Sequence, residues 1–282
     1  MEAAAEAIQE RGLAVNSLYI GGGTPTSLNP ALLERLLSRA SELFSRVEFT
    51  LEAGRPDTIT REKLLSARTH GVTRLCINPQ TMKQETLDLI GRRHTVEDVK
   101  EKFLLARELG FDNINMDLIV GLPEETIDDV RQTMEEIKAL RPDSVTVHSL
   151  AIKRAARLNI YKERYGNLKI VNTQEMIDLT AQYAEEMGLK PYYLYRQKYM
   201  SGSFENVGWS RDNLDCLYNI YMMEEVHTIL SLGGGGMNKV NLPDGTLRRF
   251  HNPKFPEQYI ELLPGVLEQK QALFRLMADG AK

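Results

Sequence analysis

Residues 17–25 read SLYIGGGTP, and the fold is decided here. The first residues are mostly apolar and read as a short buried strand. The three glycines that follow, Gly21, Gly22 and Gly23, let a backbone approach a ligand closely and expose its amides. Their spacing is neither G-x-G-x-x-G nor G-x-x-x-x-G-K-[ST], so neither a dinucleotide fold nor a P-loop is indicated. Similar runs recur downstream: EFTLE at 48–52, TRLCIN at 73–78, NINMDLI at 113–119 and SVTVHS at 144–149.

Helix signals fill the gaps between these runs. Asn29-Pro30 offers an N-cap and a proline at the first helical position. Thr60 caps a segment that stops at Gly71, Thr95 with Asp98 and Thr126 with Asp129 resemble capping pairs, and Pro142 follows the last helix. The alternation βαβαβαβαβα predicts the α/β class: a partial (β/α) TIM-like barrel with parallel strands over 1–150. A doubly wound open sheet is the alternative. Residues 151–282 are expected to hold the rest of the barrel and a C-terminal α+β extension. In it, a helix is expected at 173–187, an aromatic-rich stretch over 191–209, a strand at 226–232 and a helix over 256–277 interrupted at Pro264-Gly265.

In parallel barrels the active site lies at the C-terminal ends of the strands. That rule puts Gly21–Pro25, Glu52, Gln80, Asp117, Gly121-Leu122-Pro123, His148 and Ser149 on one rim. Asp117, between Met116 and Leu118, is a carboxylate in an otherwise apolar strand and needs partners.

Composition narrows the function classes. With 35 basic and 39 acidic residues the net charge is −4, which gives no global attraction to nucleic acid or anionic membrane. Cys76 and Cys216 lie far apart and form no metal-binding spacing; two isolated cysteines suggest a reducing compartment. The first residues, MEAAAEAIQERG, do not read as a signal peptide, and no apolar run is long enough to span a bilayer, so the expected location is the cytoplasm.

IGGGTPT, Glu52 at the end of the next strand, Gln80 after the third, Arg92 at the following helix end and NMDLIVGLP together resemble the oxygen-independent coproporphyrinogen III dehydrogenase group of radical S-adenosylmethionine (SAM) proteins. That group includes a haem-chaperone branch. INPQTM, GRRHT, HSLAIKRAARLN and PYYLYRQK resemble a divergent bacterial branch of it.

The resemblance implies SAM as cofactor. Gly22, Gly23 and Thr24 would lie along its methionyl part, and Glu52, Gln80 and Asp117 would be binding positions. Arg92 would meet its carboxylate as a guanidinium fork, and Ala151 would make a backbone contact near the adenine. It also implies a porphyrinogen substrate, an external electron donor and a [4Fe–4S] cluster. Arg154, with its neighbours Lys153 and Arg157, and Arg196 are the candidates for substrate propionates. The cluster motif C-x3-C-x2-C would stand just before the segment that opens this chain, and it does not occur in the 282 residues. The expectation is that the intact protein carries the cluster while this chain alone is inert, with no metal ligands of its own.

Overall fold

The computed structural model describes residues 1–151, 168–196, 204–242 and 244–278. The elements in order are α1 (Glu2–Glu10), β1 (Ser17–Ile20), α2 (Pro30–Leu43), β2 (Glu48–Gly54), α3 (Arg61–Thr69), β3 (Arg74–Ile77), α4 (Gln84–Leu89), α5 (Val96–Glu108), β4 (Ile114–Val120), α6 (Ile127–Leu140) and β5 (Ser144–Ser149). They continue with α7 (Gln174–Glu186), β6 (Lys190–Tyr195), β7 (Asn206–Ser210), α8 (Leu217–Glu224), β8 (Met237–Asn241), β9 (Leu247–His251), α9 (Pro256–Glu261) and α10 (Leu263–Ala278).

The helices start where their caps stand. The Asn29 side chain accepts from Leu32 N at 2.9 Å, with Pro30 leading α2. Thr95 and Asp98 exchange hydrogen bonds as a capping box on α5, and Thr126 and Asp129 do the same on α6.

Strands β1 to β5 are parallel and adjacent in sequence order, so the sheet has no switch point. A hairpin then extends it: β7 pairs antiparallel with β5, and β6 with β7. The sheet is therefore a mostly parallel partial barrel with an antiparallel end, and it runs on past residue 150. Helix α8 touches both β1 and β6, the two edges of the sheet, and so bridges the gap that the missing closure leaves.

The two faces of the sheet differ. Phe49, Leu51, Leu75, Ile77, Ile114, Met116, Leu118, Val145 and Val147 form one buried cluster with Leu33 and Leu37 of α2, Leu64 of α3, Phe103 of α5 and Met134 and Ile137 of α6. Alternate residues point the other way, as the pleat requires. These are Ser17, Tyr19, Glu48, Thr50, Glu52, Arg74, Cys76, Asn115, Asp117, Ser144, Thr146 and His148. The concave interior is polar.

Two expectations for the C-terminal part need correction. Residues 226–232 do not form a strand; only an isolated bridge joins Ile229 to Lys239, and the ladder lies instead between β8 and β9. The reason is that side chains, not a strand, satisfy much of this backbone. Asn238 Oδ1 accepts from Ser231 N, and Asn252 Nδ2 donates to the carbonyls of Ser231 and Gly233. The terminal helix breaks at Leu262, not at Pro264-Gly265. Pro264 falls in the first turn of α10, where its lost N–H costs nothing.

Candidate active site

Each rim position follows from a strand end. After β1 the chain turns through Gly21–Thr24. Any Cβ at Gly21 would overlap the Tyr19 ring and the Glu52 carboxylate, so only glycine lets Glu52 stand against the turn. Gly22 has a φ of +94° and open space above it, and its N–H lies 3.4 Å from Glu52 Oε2. Gly23 is equally uncovered, and Thr24 is half-buried beside Gly54.

A buried clamp holds this turn against the loop after β2. Lys63 Nζ donates to the carbonyls of Thr26 at 2.6 Å and Thr58 at 3.1 Å. The Thr26 hydroxyl reaches Ala53 O at 2.8 Å and Thr58 Oγ1 at 2.7 Å. The ammonium binds carbonyls without a carboxylate, which fixes two rim loops without adding a negative charge to them.

Gln80, after β3, adopts a φ of +73°, a conformation that non-glycine residues rarely take. It is held there by β4: its N–H donates to Asp117 O at 3.0 Å and its carbonyl accepts from Ile119 N at 2.8 Å. Arg92, after α4, is half-buried and its guanidinium has no hydrogen-bond or ion-pair partner among the described residues. Burial, and then the nearby charge of Arg55, disfavour its protonated form. Arg55 itself is paired with Asp57 at 2.5 Å. The charge of Asp57, already paired with Arg55, only partly offsets these effects on Arg92.

Asp117 is oriented by a relay across two strands. Thr146 Oγ1 donates to Asn115 Oδ1 at 3.2 Å, and Asn115 Nδ2 donates to Asp117 Oδ1 at 2.6 Å. The other oxygen, Oδ2, stands 3.9 Å from His148 Nε2. Burial opposes ionisation of Asp117, but His148, Asn115 and the charge of Arg74 outweigh it and hold its carboxyl below the usual range. Glu52 goes the other way: burial first, then the charge of Asp117, push it up. The two carboxylates of one rim are driven apart in proton affinity.

The floor of the interior is a second polar layer. Glu48 is 7% exposed and caps α8, accepting from Leu217 N at 2.8 Å and Tyr218 N at 3.3 Å, with Ser17 Oγ at 2.7 Å. The fully buried Arg74 donates to Ser144 Oγ at 3.0 Å and Cys76 Sγ at 3.1 Å. Above this floor Tyr19 stacks on Tyr218, ring centroids 4.2 Å apart.

Of the residues singled out from sequence, Gly22 and Glu52 touch, and Gln80 is bonded to the backbone of Asp117. Arg92 lies within the influence of the loop after β2. Ala151 follows β5 and is half-buried, while Leu150 N ties that end to Val120 O at 2.9 Å. Arg196 is exposed and pairs with Glu205 at 2.5 Å. Arg154, Lys153 and Arg157 lie outside the described residues. Lys63, Asn115, Glu48 and Arg74 have structural roles at the site that were not read from the sequence; for the three strand residues, Glu48, Arg74 and Asn115, period-two alternation was the available signal, and for Lys63 on α3 there was none.

The rim residues fit SAM. That molecule presents an ammonium, a carboxylate and a ribose; the rim presents carboxylates, an unpartnered guanidinium and uncovered glycine backbone. A cluster finds no such fit here: among the described residues no group of three His, Cys, Asp or Glu side chains could hold a metal ion. Both thiols are buried, with their ionisation suppressed by that burial. No described helix is long and apolar enough to cross a membrane.

A model of the radical SAM superfamily matches residues 1–137. The oxygen-independent coproporphyrinogen-III oxidase-like protein HemZ of Bacillus subtilis is 41% identical over 275 residues, covering 96% of this chain and 55% of that protein. The haem chaperone HemW of the same organism is 36% identical over 143 residues, 49% of this chain and 38% of that protein. The solved coproporphyrinogen III oxidase HemN of Escherichia coli, a radical SAM enzyme, shares the fold with a TM-score of 0.69 at 23% identity, over 94% of this chain and 62% of that one. The chain spans about half the length of the curated relatives it matches.

Proposed function

We propose that the rim binds SAM within a protein that oxidatively decarboxylates coproporphyrinogen III to protoporphyrinogen IX, a reading supported by the radical SAM superfamily model that matches residues 1–137. The observation that carries the SAM reading is the half-buried Arg92, without a hydrogen-bond or ion-pair partner among the described residues and near Arg55 and Asp57 of the loop that follows Glu52, together with the uncovered Gly22-Gly23 turn against which Glu52 stands. Bound on this rim, SAM would supply the radical chemistry by which hydrogen is taken from a substrate carbon. The rest is positioning.

Arg92 receives the methionyl carboxylate, and the backbone of Gly22, Gly23 and Thr24 lies along that end. Glu52, with its raised proton affinity, accepts from the ligand at a site where a second full negative charge beside Asp117 is disfavoured. Gln80 and Ala151 flank the adenosyl half. Arg154 receives a propionate, and Arg196 does so by exchanging its Glu205 partner for substrate. An external donor supplies the electron.

A second reading, a haem chaperone on the same scaffold, is favoured by the 36% identity to HemW over 143 residues. Anaerobic reconstitution of the full-length protein separates the two. Conversion of coproporphyrinogen III with consumption of SAM supports the oxidase. Stoichiometric haem binding without turnover supports the chaperone. For the SAM reading itself, Arg92→Ala should weaken SAM binding about tenfold or more in equilibrium dialysis, the loss of a charge-assisted bidentate contact.

A further inference from the structure

His94 is 1% exposed, and the mechanism above gives it no part. Its Nε2 stands 3.3 Å from the carbonyl oxygen of Pro79. A carbonyl only accepts, so Nε2 carries the proton, and Nδ1 is left as a buried lone pair with no hydrogen-bond partner. Burial lowers the proton affinity of the ring and so favours this neutral form. An unsatisfied buried nitrogen costs free energy, and a leucine in the same place would avoid that cost. What a leucine lacks is the N–H.

The acceptor belongs to a backbone under constraint. Pro79 has no N–H, so its carbonyl is the only backbone group it can offer. The peptide it forms with Gln80 leads into a φ of +73°, which a glutamine resists. That peptide is held at both ends: its N–H, on Gln80, donates to Asp117 O at 3.0 Å, and its carbonyl accepts from His94. His94 is itself pinned on both sides. Arg92 N donates to Leu87 O at 2.9 Å before it, and Thr95 forms the capping box of α5 after it. One imidazole N–H thus ties the turn that carries Arg92 to the turn that carries Gln80, and neither of their side chains takes part.

We propose that His94 is a positioning residue: its strap holds Gln80 in the left-handed conformation and fixes the spacing between Gln80 and Arg92. The inference rests on the SAM reading for its ligand. Arg92 serves the methionyl carboxylate and Gln80 the adenosyl half, so the strap sets the length of ligand that the rim accepts. His94 acts through these two residues and touches no ligand, being closed off from solvent.

Two amides of different reach test the strap in the 282-residue chain. His94→Gln can place an N–H near the position of Nε2, whereas the shorter His94→Asn places one only near Nδ1. Amide exchange at Ile119, whose N–H donates to the Gln80 carbonyl, reports the turn, and equilibrium dialysis reports SAM binding. His94→Asn should speed Ile119 exchange about tenfold and weaken SAM about tenfold, and His94→Gln should keep most of both. Adding Gln80→Gly to His94→Asn should return Ile119 exchange to near the wild-type rate, because glycine takes a positive φ without strain. A histidine that only fills space would show neither recovery. Thermal melts report folding; if His94→Asn unfolds, His94→Leu, which suits a buried place but has no N–H, takes its part in the same comparison. The strap is overturned if the glutamine variant exchanges as fast as the variant without the donor, or if Gln80→Gly restores no protection. If SAM binds the wild-type chain and His94→Asn leaves Ile119 exchange unchanged, the inference fails while the SAM reading stands. If the wild-type chain binds no SAM, that reading fails and the exchange measurements alone decide the strap.

Discussion

The convex and concave faces of one sheet are built on opposite rules. On the convex face, Phe49, Leu51, Leu75 and Ile114 are without exposed surface and lie against helices. On the concave face the alternate residues of the same strands are Glu48, Thr50, Glu52, Arg74, Asn115, Asp117 and His148. A closed barrel of eight strands fills its interior with apolar layers. This sheet stays open, is bridged by α8, and leaves its interior to hydrogen bonds and charges. Apolar burial on one face supplies the stability that lets the other face keep groups aimed at a ligand.

The largest test of this contrast is Phe49→Ala. It should cost about 3–5 kcal/mol in denaturant unfolding, because the ring is completely buried in the convex cluster. A loss below about 1 kcal/mol would mean that the convex face does not carry the fold.

Next comes the floor of the concave face. Glu48→Gln should cost about 2–3 kcal/mol, since a buried carboxylate with four donors is replaced by an amide that suits them poorly. Amide exchange at Leu217 and Tyr218 should accelerate before global unfolding; unchanged exchange there would break the link between Glu48 and α8.

Lys63→Met should cost less, about 1.5 kcal/mol, yet reduce SAM affinity several-fold, because it frees the two loops that flank Glu52. A variant with full SAM affinity would reduce the clamp to scaffold.

The smallest effects differ in sign between the two rim carboxylates. Asp117 is held below its unfolded value, so it contributes stability above about pH 3.9 that is lost as pH falls through its folded value. Glu52 is held above its unfolded value, so its ionisation costs stability once the pH exceeds about 4.3, up to and beyond its folded value. Asp117→Asn should therefore lower the melting temperature at pH 7, and Glu52→Gln should raise it slightly. The Glu52 difference should vanish below about pH 4.3, and the Asp117 difference should shrink only as the pH falls through its lowered folded value. A stabilising Asp117→Asn would contradict the assignment of the pair.

Much of this was legible in the sequence. The order of β1 to β5 followed from five runs with caps between them, because a parallel βα unit spells its turn chemistry locally. Glu52, Gln80 and Asp117 were found because strand ends define a rim. What escaped depends on packing between distant parts. Nothing near Lys63 reports that its ammonium reaches Thr26 and Thr58. The strand at 226–232 looked plausible from its apolar residues, yet its backbone is satisfied by Asn238, Asn252 and Lys270, which lie up to 39 positions away. The antiparallel turn of the sheet at β7 was hidden because an edge hairpin and a parallel strand read alike over five residues.

The cap that Glu48 makes on α8 also fixes an order of events in the cell. Glu48 and Leu217 are 169 positions apart. At a synthesis rate of about 5–20 residues per second the carboxylate waits roughly 10–30 s for its partner to be made. During that interval the nascent sheet has its convex face available for packing and its interior open to water. A polar interior tolerates that exposure where an apolar one would collapse or aggregate, so the composition of the concave face also suits a barrel that is closed late by its own downstream sequence.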